Sequence, residues 1–489
     1  MIDSIELMPT TAESYPFSSA EKYLGLSGLG YMEQEYSMKG TANVYRTVDR
    51  SGAVEVKNAD VAYANRFIIR APKDPSKASG NVVVEILNST AGWEIERMWI
   101  LTHKEIVRSG DIYVGITSKH NTKRTLVAFD EDRYGFLSWP NPTADTPLGF
   151  TNDDYAAAGG LPDLDEACEP GLFWDMLTDL AWKLRSDDED NPIKDYQRDA
   201  IALMGWSQSG SYTFRYLNTF AYREDVARGG RVFDGYLTGG GVHGLVIPAN
   251  QYESMDAAPH NLMHVEHVEE PFIEVQTETE NGWNEGWRVA LPDSDRPDFK
   301  YRHYDIAGAS HDTVYSLVDY YCEDEDLKRI GELPTFQGSE AEGNDYPSQI
   351  LMAAALRNLF TWIRTGVGPR TSERIPFNTK GENLRDAFGN ALKGLRTCLN
   401  DYPTGVCEKP SVIRMEQDGK TVEMVNPLFS AQVAFSSALV TELYGSLEHY
   451  RELCVNHTAE QVSKGFVCKE DAGELVDVAC KLASQRGLK

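Results

Sequence analysis

The length, composition and charge of the chain set the first limits on its function. Its 489 residues are 41% hydrophobic and 25% charged, an ordinary balance for a globular protein and enough chain for a large α/β enzyme with insertions. The acidic excess gives a net charge of −28, which argues against nucleic acid or an anionic membrane surface as a partner because both would be repelled.

Short apolar runs alternate with helical patterns, which is typical of a mostly parallel sheet wrapped by helices. The predicted strands are, in chain order, 81–87, 111–117, 200–205, 231–239, 271–277 and 300–308. Helices are predicted at 95–110, ended by Gly110, and at 173–185. This succession predicts an α/β fold with an open, doubly wound sheet.

Two segments depart from this rhythm, and the C-terminal part is less regular. Residues 118–172 are rich in Pro, Gly, Asn and Asp, and residues 240–270 carry scattered His and Met. Both leave from predicted strand ends, so we expect binding loops or cap insertions there. We expect a core over 1–370 and, packed on it, a C-terminal extension over 371–489 that ends in helices from about residue 430.

The N-terminal segment and the cysteines bear on the compartment. Residues 1–20 lack the basic start and apolar core of a signal peptide, and no apolar run reaches the about 18 residues of a spanning helix. The seven cysteines form no CxxC pair and show no spacing typical of a zinc site. They occupy positions 168, 322, 398, 407, 454, 468 and 480. We therefore expect reduced thiols in a cytoplasmic protein, although Cys398 and Cys407 are close enough in sequence to bridge a loop. The oligomeric state stays open, a homo-oligomer included.

Ser207 lies in a sequence that is typical of an activated nucleophile. The stretch GWSQS, residues 205–209, follows a predicted strand and opens a predicted helix, as the G-x-S-x-G turn requires. Such a turn presents the hydroxyl and aims the backbone N–H of Gln208 at a developing oxyanion. The alternative is a serine that only caps the helix, but the strand–turn–helix context favours catalysis.

The other parts of a catalytic site follow from chain order and loop position. The loop 88–94, with Asn88 and Ser89 at its start, is expected to supply a second oxyanion donor, the alternative being a simple turn. His311 comes just after a predicted strand and is the expected base. For the acid, Glu280 is preferred over Glu278, because the turn after the strand is expected to carry its third residue toward the histidine loop.

Aromatic and histidine clusters raise two further questions. Several aromatic side chains could belong to a pocket for an acyl or aryl group or to the hydrophobic core, and we expect the core for most of them. They are Trp93, Trp206, Phe272, Trp283 and Trp287. His260, His264 and His267 have a spacing that could hold zinc, but the segment lacks the HExxH order. We therefore predict a polar cap helix there and no metal.

Four segments resemble a large α/β-hydrolase family with esterase-like members: VVVEILNSTAG, MGWSQSG, VQTETE and IAGASHDT. The resemblance spans most of the chain, with weaker similarity in C-terminal segments such as FGNALKGLRT. It implies an ester-cleaving serine hydrolase without a metal or organic cofactor. Ser209 and Glu280 depart from the commoner glycine and aspartate at those positions, but neither change removes a functional group.

The expected function is hydrolysis of a small-molecule carboxylic ester through an acyl-enzyme, with Ser207, His311 and Glu280 as the triad. One alternative is acyl transfer, in which an alcohol or amine replaces water. The other is a binding protein on a hydrolase scaffold, which would not need the three residues together.

Overall fold

The computed structural model describes nearly the whole chain. The described residues are 1–49, 51–149, 165–243, 247–253, 265–283, 291–320, 325–330, 342–417 and 420–489.

A ten-stranded sheet organises the described residues. Its strands are β1 (Ile2–Met8), β2 (Tyr31–Thr47), β3 (Val54–Pro72), β4 (Gly80–Ile86), β5 (Ile112–Ile116), β6 (Arg198–Trp206), β7 (Gly235–Gly239), β8 (Val268–Thr277), β9 (Ser294–Arg296) and β10 (Phe299–Ile306). Their spatial order is β1-β2-β3-β5-β4-β6-β7-β8-β10-β9. The run from β5 to β10 is parallel, and the strands at both edges are antiparallel. The six predicted strands are confirmed as β4, β5, β6, β7, β8 and β10.

Helices lie between and after these strands. They are α1 (Ala20–Leu24), α2 (Arg97–Ser109), α3 (Lys123–Phe129), α4 (Glu131–Tyr134), α5 (Phe173–Arg185), α6 (Gln208–Thr219), α7 (Glu224–Ala227), α8 (Glu278–Trp283), α9 (Glu325–Ile330), α10 (Ser348–Thr365), α11 (Cys398–Asp401), α12 (Ser437–Tyr444), α13 (Leu447–Lys464) and α14 (Ala472–Gln485). Helix α2 ends where predicted, because Gly110 adopts a φ of 78° and its N–H donates to the carbonyl oxygens of Ile106 and Val107. Helix α5 also has the predicted bounds.

Strands that the sequence pattern did not predict lie at both edges of the main sheet, where β1, β2, β3 and β9 are antiparallel, and in the C-terminal part. Strands β2 and β3 form a long antiparallel pair before β4. In the C-terminal part, β11 (Glu342–Gly343), β13 (Lys420–Ala434) and β12 (Gly405–Gln417) form a separate antiparallel sheet in that order. The predicted C-terminal helices follow this sheet and begin at Ser437.

The sheet separates two hydrophobic clusters, so its parallel strands are buried on both faces. On β4, Val83 belongs to one cluster, whereas Val82 and Val84 belong to the other. The first cluster also contains Tyr450 and Leu475 from the C-terminal helices. Of the helices in the described chain, none is both long and apolar enough to cross a membrane.

Candidate active site

Ser207 occupies a strained turn between β6 and α6. Its φ of 59° and ψ of −123° lie in a region that non-glycine residues rarely adopt. The Ser207 N–H donates to the Gly239 carbonyl oxygen, 2.8 Å away, so the turn is fixed to the end of β7. Strain of this kind at a strand–helix junction is the geometry that exposes a nucleophile.

Close contacts explain the small residues around Ser207. A Cβ atom on Gly205 would lie 2.3 Å from the Ser209 carbonyl oxygen, and one on Gly210 would lie 2.9 Å from the Gly241 Cα. Ser209 is itself buried, so a serine fits where a glycine is commoner.

His311 and Glu280 form a buried pair at the same edge of the sheet. His311 Nδ1 lies 2.5 Å from Glu280 Oε1, and the two side chains are 4% and 1% exposed. Glu280 Oε2 also accepts a hydrogen bond from the Thr277 N–H. Because Nδ1 is engaged with the carboxylate, Nε2 is the ring nitrogen that can exchange a proton with a substrate.

Glu278 faces a different set of partners. Its carboxylate pairs with Arg385 and accepts a hydrogen bond from the Gly308 N–H, 2.7 Å away. Burial raises the pKa of Glu278, and the Arg385 guanidinium opposes that rise. Glu278 thus connects the end of β8 to the histidine loop and to the C-terminal region, and Glu280 is the glutamate that contacts the imidazole.

Trp206 and Gly240 place His311 beside the serine turn. The Trp206 and His311 rings lie 5.3 Å apart between centroids. A Cβ atom on Gly240 would lie 2.8 Å from the imidazole, so the chain approaches the ring closely just after Gly239, which binds the Ser207 N–H. These contacts bring His311 to the residues on both sides of Ser207.

The loop after β4 is attached to the same turn. The Asn88 side-chain amide donates to the Trp206 carbonyl oxygen at 2.9 Å, and the Ser89 hydroxyl donates to Gln208 Oε1 at 3.3 Å. Gln208 is the first residue of α6, so its backbone N–H has no acceptor within the helix. The backbone N–H of Ser89 likewise has no acceptor among the residues that the structure describes. Two donors therefore flank the turn that carries Ser207.

The aromatic residues for which pocket and core were both considered lie in the core where the structure describes them. Trp93, Trp206 and Phe272 are at most 3% exposed, which agrees with core as the preferred interpretation. The side chain of Trp283 and the whole of Trp287 lie outside the described residues.

Of the three histidines whose spacing could hold zinc, the structure describes only His267. His260 and His264 lie outside the described residues, and His267 is half exposed and stacks edge-on against Tyr222. Another group of metal-ligand type occurs in the described part of the chain, formed by His120, Asp165 and Cys168.

Sequence reasoning missed Thr279, Arg385 and Gly240. The Thr279 hydroxyl accepts a hydrogen bond from the His311 N–H at 2.8 Å and so holds the loop backbone. Thr279 stands between the two candidate acids, which is the only signal that could have marked it. Arg385 and Gly240 become relevant through tertiary contacts alone.

A small cavity lies one helical turn along α6 from the serine. Its lining includes Lys119, His120, Trp174, Tyr212 and Gln251. The Gln251 side chain is buried, and neither its oxygen nor its nitrogen has a hydrogen-bond partner among the described residues. The cavity thus presents one amide that can both donate to and accept from a bound group.

Comparisons with solved structures find distant similarity. The chain is 11% identical to an alpha-beta serine hydrolase homologue from Coxiella burnetii, over 51% of this chain and 84% of that one, with a TM-score of 0.28. It is 14% identical to the siderophore hydrolase EstB from Aspergillus nidulans (55% and 92% covered, TM-score 0.27). It is 9% identical to an esterase from Rhizomucor miehei (72% and 93% covered, TM-score 0.32). These similarities are too remote to indicate an activity.

The family comparison covers almost the whole chain. No curated protein matches the sequence. A family model described as "Alpha/beta hydrolase domain" matches residues 6–477. This range includes the serine turn, the loop after β4, both glutamates and the histidine loop. The chain therefore belongs to the alpha/beta hydrolase domain family.

Proposed function

We propose that this protein is a serine hydrolase that cleaves a carboxylic ester through an acyl-enzyme. The observation that carries the proposal is the buried pair of Glu280 and His311, which packs beside the strained turn of Ser207. A structural serine would not need a histidine with a fixed tautomer next to it.

The first half of the reaction forms the acyl-enzyme. The Ser207 Oγ attacks the ester carbonyl carbon while His311 Nε2 accepts the hydroxyl proton. The backbone N–H groups of Gln208 and Ser89 stabilise the negative charge on the carbonyl oxygen. As the tetrahedral intermediate collapses, the imidazolium returns its proton to the leaving alcohol.

The second half releases the acid. Water takes the place of the alcohol and attacks the acyl carbon while His311 accepts a proton from the water. The Ser207 Oγ then leaves as His311 returns that proton to it. Throughout, the Glu280 carboxylate holds the Nδ1–H of His311 and stabilises the positive charge on the ring.

The substrate is a small ester, part of which we place in the cavity that Gln251 lines. The unpartnered carboxamide favours a substrate with an amide or hydroxyl group, because such a group can accept from and donate to Gln251. Gln251→Leu should then raise KM for esters that carry such a group and leave KM for simple alkyl esters near its original value. Equal changes in KM for both ester types would contradict this placement.

Replacement of the serine tests the proposed reaction. Ser207→Ala should abolish covalent labelling by a fluorophosphonate and lower kcat/KM for a reactive aryl ester by on the order of 10⁴-fold or more. Ser76→Ala is the matched control, because Ser76 is exposed and should leave both properties unchanged. Labelling of a folded Ser207→Ala variant at the original stoichiometry would place the nucleophile elsewhere and overturn the mechanism.

A further inference from the structure

A second cluster of chemically active side chains lies apart from the proposed triad. His120 begins a short helical turn, His120–Thr122, after β5, and Asp165 and Cys168 lie close together further along the chain. One ring nitrogen of His120, one carboxylate oxygen of Asp165 and the Cys168 Sγ all lie within 4.8 Å of one another. Residues distant in sequence therefore converge on one point.

The three side chains are the kinds of ligand that zinc takes. Zn²⁺ binds imidazole nitrogen, carboxylate oxygen and thiolate sulfur at about 2.0–2.3 Å in a tetrahedron, so its ligand atoms lie roughly 3.5 Å apart. Small side-chain adjustments would bring the group to that spacing. Sulfur and imidazole ligands are unsuited to Mg²⁺ or Ca²⁺, which prefer oxygen.

Burial and charge fit a site that is open on one side. Both ring nitrogens of His120 are screened from solvent, whereas Asp165 is exposed and Cys168 is half-buried. The carboxylate and a thiolate supply two negative charges, which match a divalent ion and offset the nearby Lys123. The exposed side leaves room for a water as fourth ligand.

We propose that His120, Asp165 and Cys168 bind one Zn²⁺ ion. Binding replaces the hydrogen bond between the Cys168 thiol and Asp165 Oδ2, which spans 3.3 Å. The thiol proton passes to solvent and a sulfur–zinc bond forms, with no change in oxidation state. This site does not depend on the proposed ester cleavage, whose triad needs no metal.

The position of the site gives it a structural consequence. His120 lies near the start of the predicted insertion 118–172, and Asp165 and Cys168 lie near its end. His120 also lines the cavity beside α6. A bound ion would therefore join the two ends of the insertion and fix one wall of that cavity.

Cobalt substitution provides the test, because Co²⁺ reports a bound thiolate by a sulfur-to-metal charge-transfer band in the near ultraviolet. The full chain is stripped with a chelator and titrated with Co²⁺ and then with Zn²⁺. We expect the band to saturate at about one Co²⁺ per chain and to be lost when Zn²⁺ displaces Co²⁺. Absence of the band in the folded protein would overturn the proposal.

Variants assign the ligands. Cys168→Ser should remove the band. His120→Ala should weaken Zn²⁺ binding by at least about 100-fold, because loss of a residue that only supports a ligand costs up to about 100-fold. Cys407→Ser is the control, because Cys407 lies in β12 outside the cluster and should keep the band. A band that persists in Cys168→Ser or disappears in Cys407→Ser would refute this ligand set.

Discussion

Glu278 and Glu280 stand two residues apart in the chain and face different partners. Both belong to helix α8, and residues two apart on a helix point in nearly opposite directions. Glu280 therefore reaches His311, whereas Glu278 reaches Arg385 and Gly308. The direction of each side chain separates a residue that can orient the imidazole from one that fastens the loop.

Replacing Glu280 by glutamine tests the role of orienting His311. A carboxamide can present its NH₂ to Nδ1 and favour the wrong tautomer, and it cannot stabilise the imidazolium. Glu280→Gln should lower kcat by on the order of 10³–10⁴-fold and change KM by less than about threefold. Steady-state kinetics with an aryl ester, on protein whose folding is checked by circular dichroism, measures both constants.

Glu278→Gln is the matched comparison. It removes the charge that pairs with Arg385 and so should lower the midpoint of thermal unfolding while leaving kcat per folded molecule within about threefold of the original. If this variant loses turnover and Glu280→Gln keeps it, Glu278 is the acid of the triad and Glu280 is not. The proposed roles of Ser207 and His311 are unaffected by that result.

The site residues were predictable to different degrees. Ser207 and His311 could be found from the sequence because each follows a strand in a loop of small residues. The two glutamates have the same side-chain type, so only a weak positional argument separated them. Thr279 contributes through one hydrogen bond to the His311 backbone, and no local pattern encodes a contact of that kind. The catalytic roles of all these residues stay predictions until variants are measured.

At the scale of elements, the parallel strands were predictable and the antiparallel ones were not. Strand β4 is buried on both faces and contains an unbroken run of three valines at 82–84. Strands β2 and β3 carry charged residues in buried positions, where Arg66 pairs with Glu35 and Arg70 pairs with Glu33. Charged residues at buried positions break the alternation of apolar and polar residues that marks a strand in the sequence. The oppositely charged residue that stabilises each of them lies on the neighbouring strand, so the local sequence does not show the pairing.

Glu85 shows how one strand fixes the start of the helix that follows it. Its buried carboxyl group accepts hydrogen bonds from the N–H groups of Met98 and Trp99 at the start of α2 and from the Tyr113 hydroxyl, all at 2.8–2.9 Å. Glu85→Ala should therefore destabilise the fold by about 2–4 kcal/mol, because the helix loses its acceptor and a cavity is left. Denaturation in urea measures this change in the free energy of unfolding.

The same residue predicts a pH dependence. Burial raises the pKa of Glu85 to about 8, well above the about 4.3 of an exposed glutamate. Between these values the folded state holds a proton that the unfolded state has lost, so the free energy of unfolding falls as pH rises through this range. Glu85→Gln cannot titrate, so the original protein should lose stability relative to this variant from pH 5 to pH 8. Parallel stability profiles for the two proteins would contradict the raised pKa.

At the scale of the molecule, the predicted boundary near residue 370 does not divide the hydrophobic core. One cluster contains Met98 and Leu356 from the sheet-covering helices together with Tyr450 and Leu475 from the C-terminal helices. The division into a core and an extension stays a prediction, but these contacts indicate that the two parts stabilise each other. We expect one cooperative transition for both parts when unfolding is followed by calorimetry.

The prediction that the cysteines are reduced can also be tested. Cys398 and Cys407 are free thiols. We predict that freshly isolated protein contains no Cys398–Cys407 bridge, as expected for the cytoplasm. Mass spectrometry of unreduced peptides decides this, and a bridged peptide in fresh material would overturn the cytoplasmic prediction.

An ion-pair network joins α2 to the turn before the last helix. The Arg108 guanidinium binds Asp471 through both Nη atoms, at 2.5 and 2.6 Å, and also pairs with Glu105. Glu105 in turn accepts two hydrogen bonds from Arg357 on α10. Asp471 and Glu105 are at most 7% exposed, so removal of Arg108 leaves buried carboxylates short of a partner.

Arg108→Ala should therefore lower the free energy of unfolding by about 1–3 kcal/mol, less than for a fully buried pair because Arg108 itself is 23% exposed. Lys104→Ala is the matched control on the same helix, since Lys104 pairs with Glu474 where both side chains are at least 36% exposed. This second variant should change stability by less than about 1 kcal/mol. Urea denaturation of both variants in low and high salt makes the comparison. If the two variants lose equal stability, or if added salt abolishes the difference, the buried network does not hold the C-terminal helices to α2.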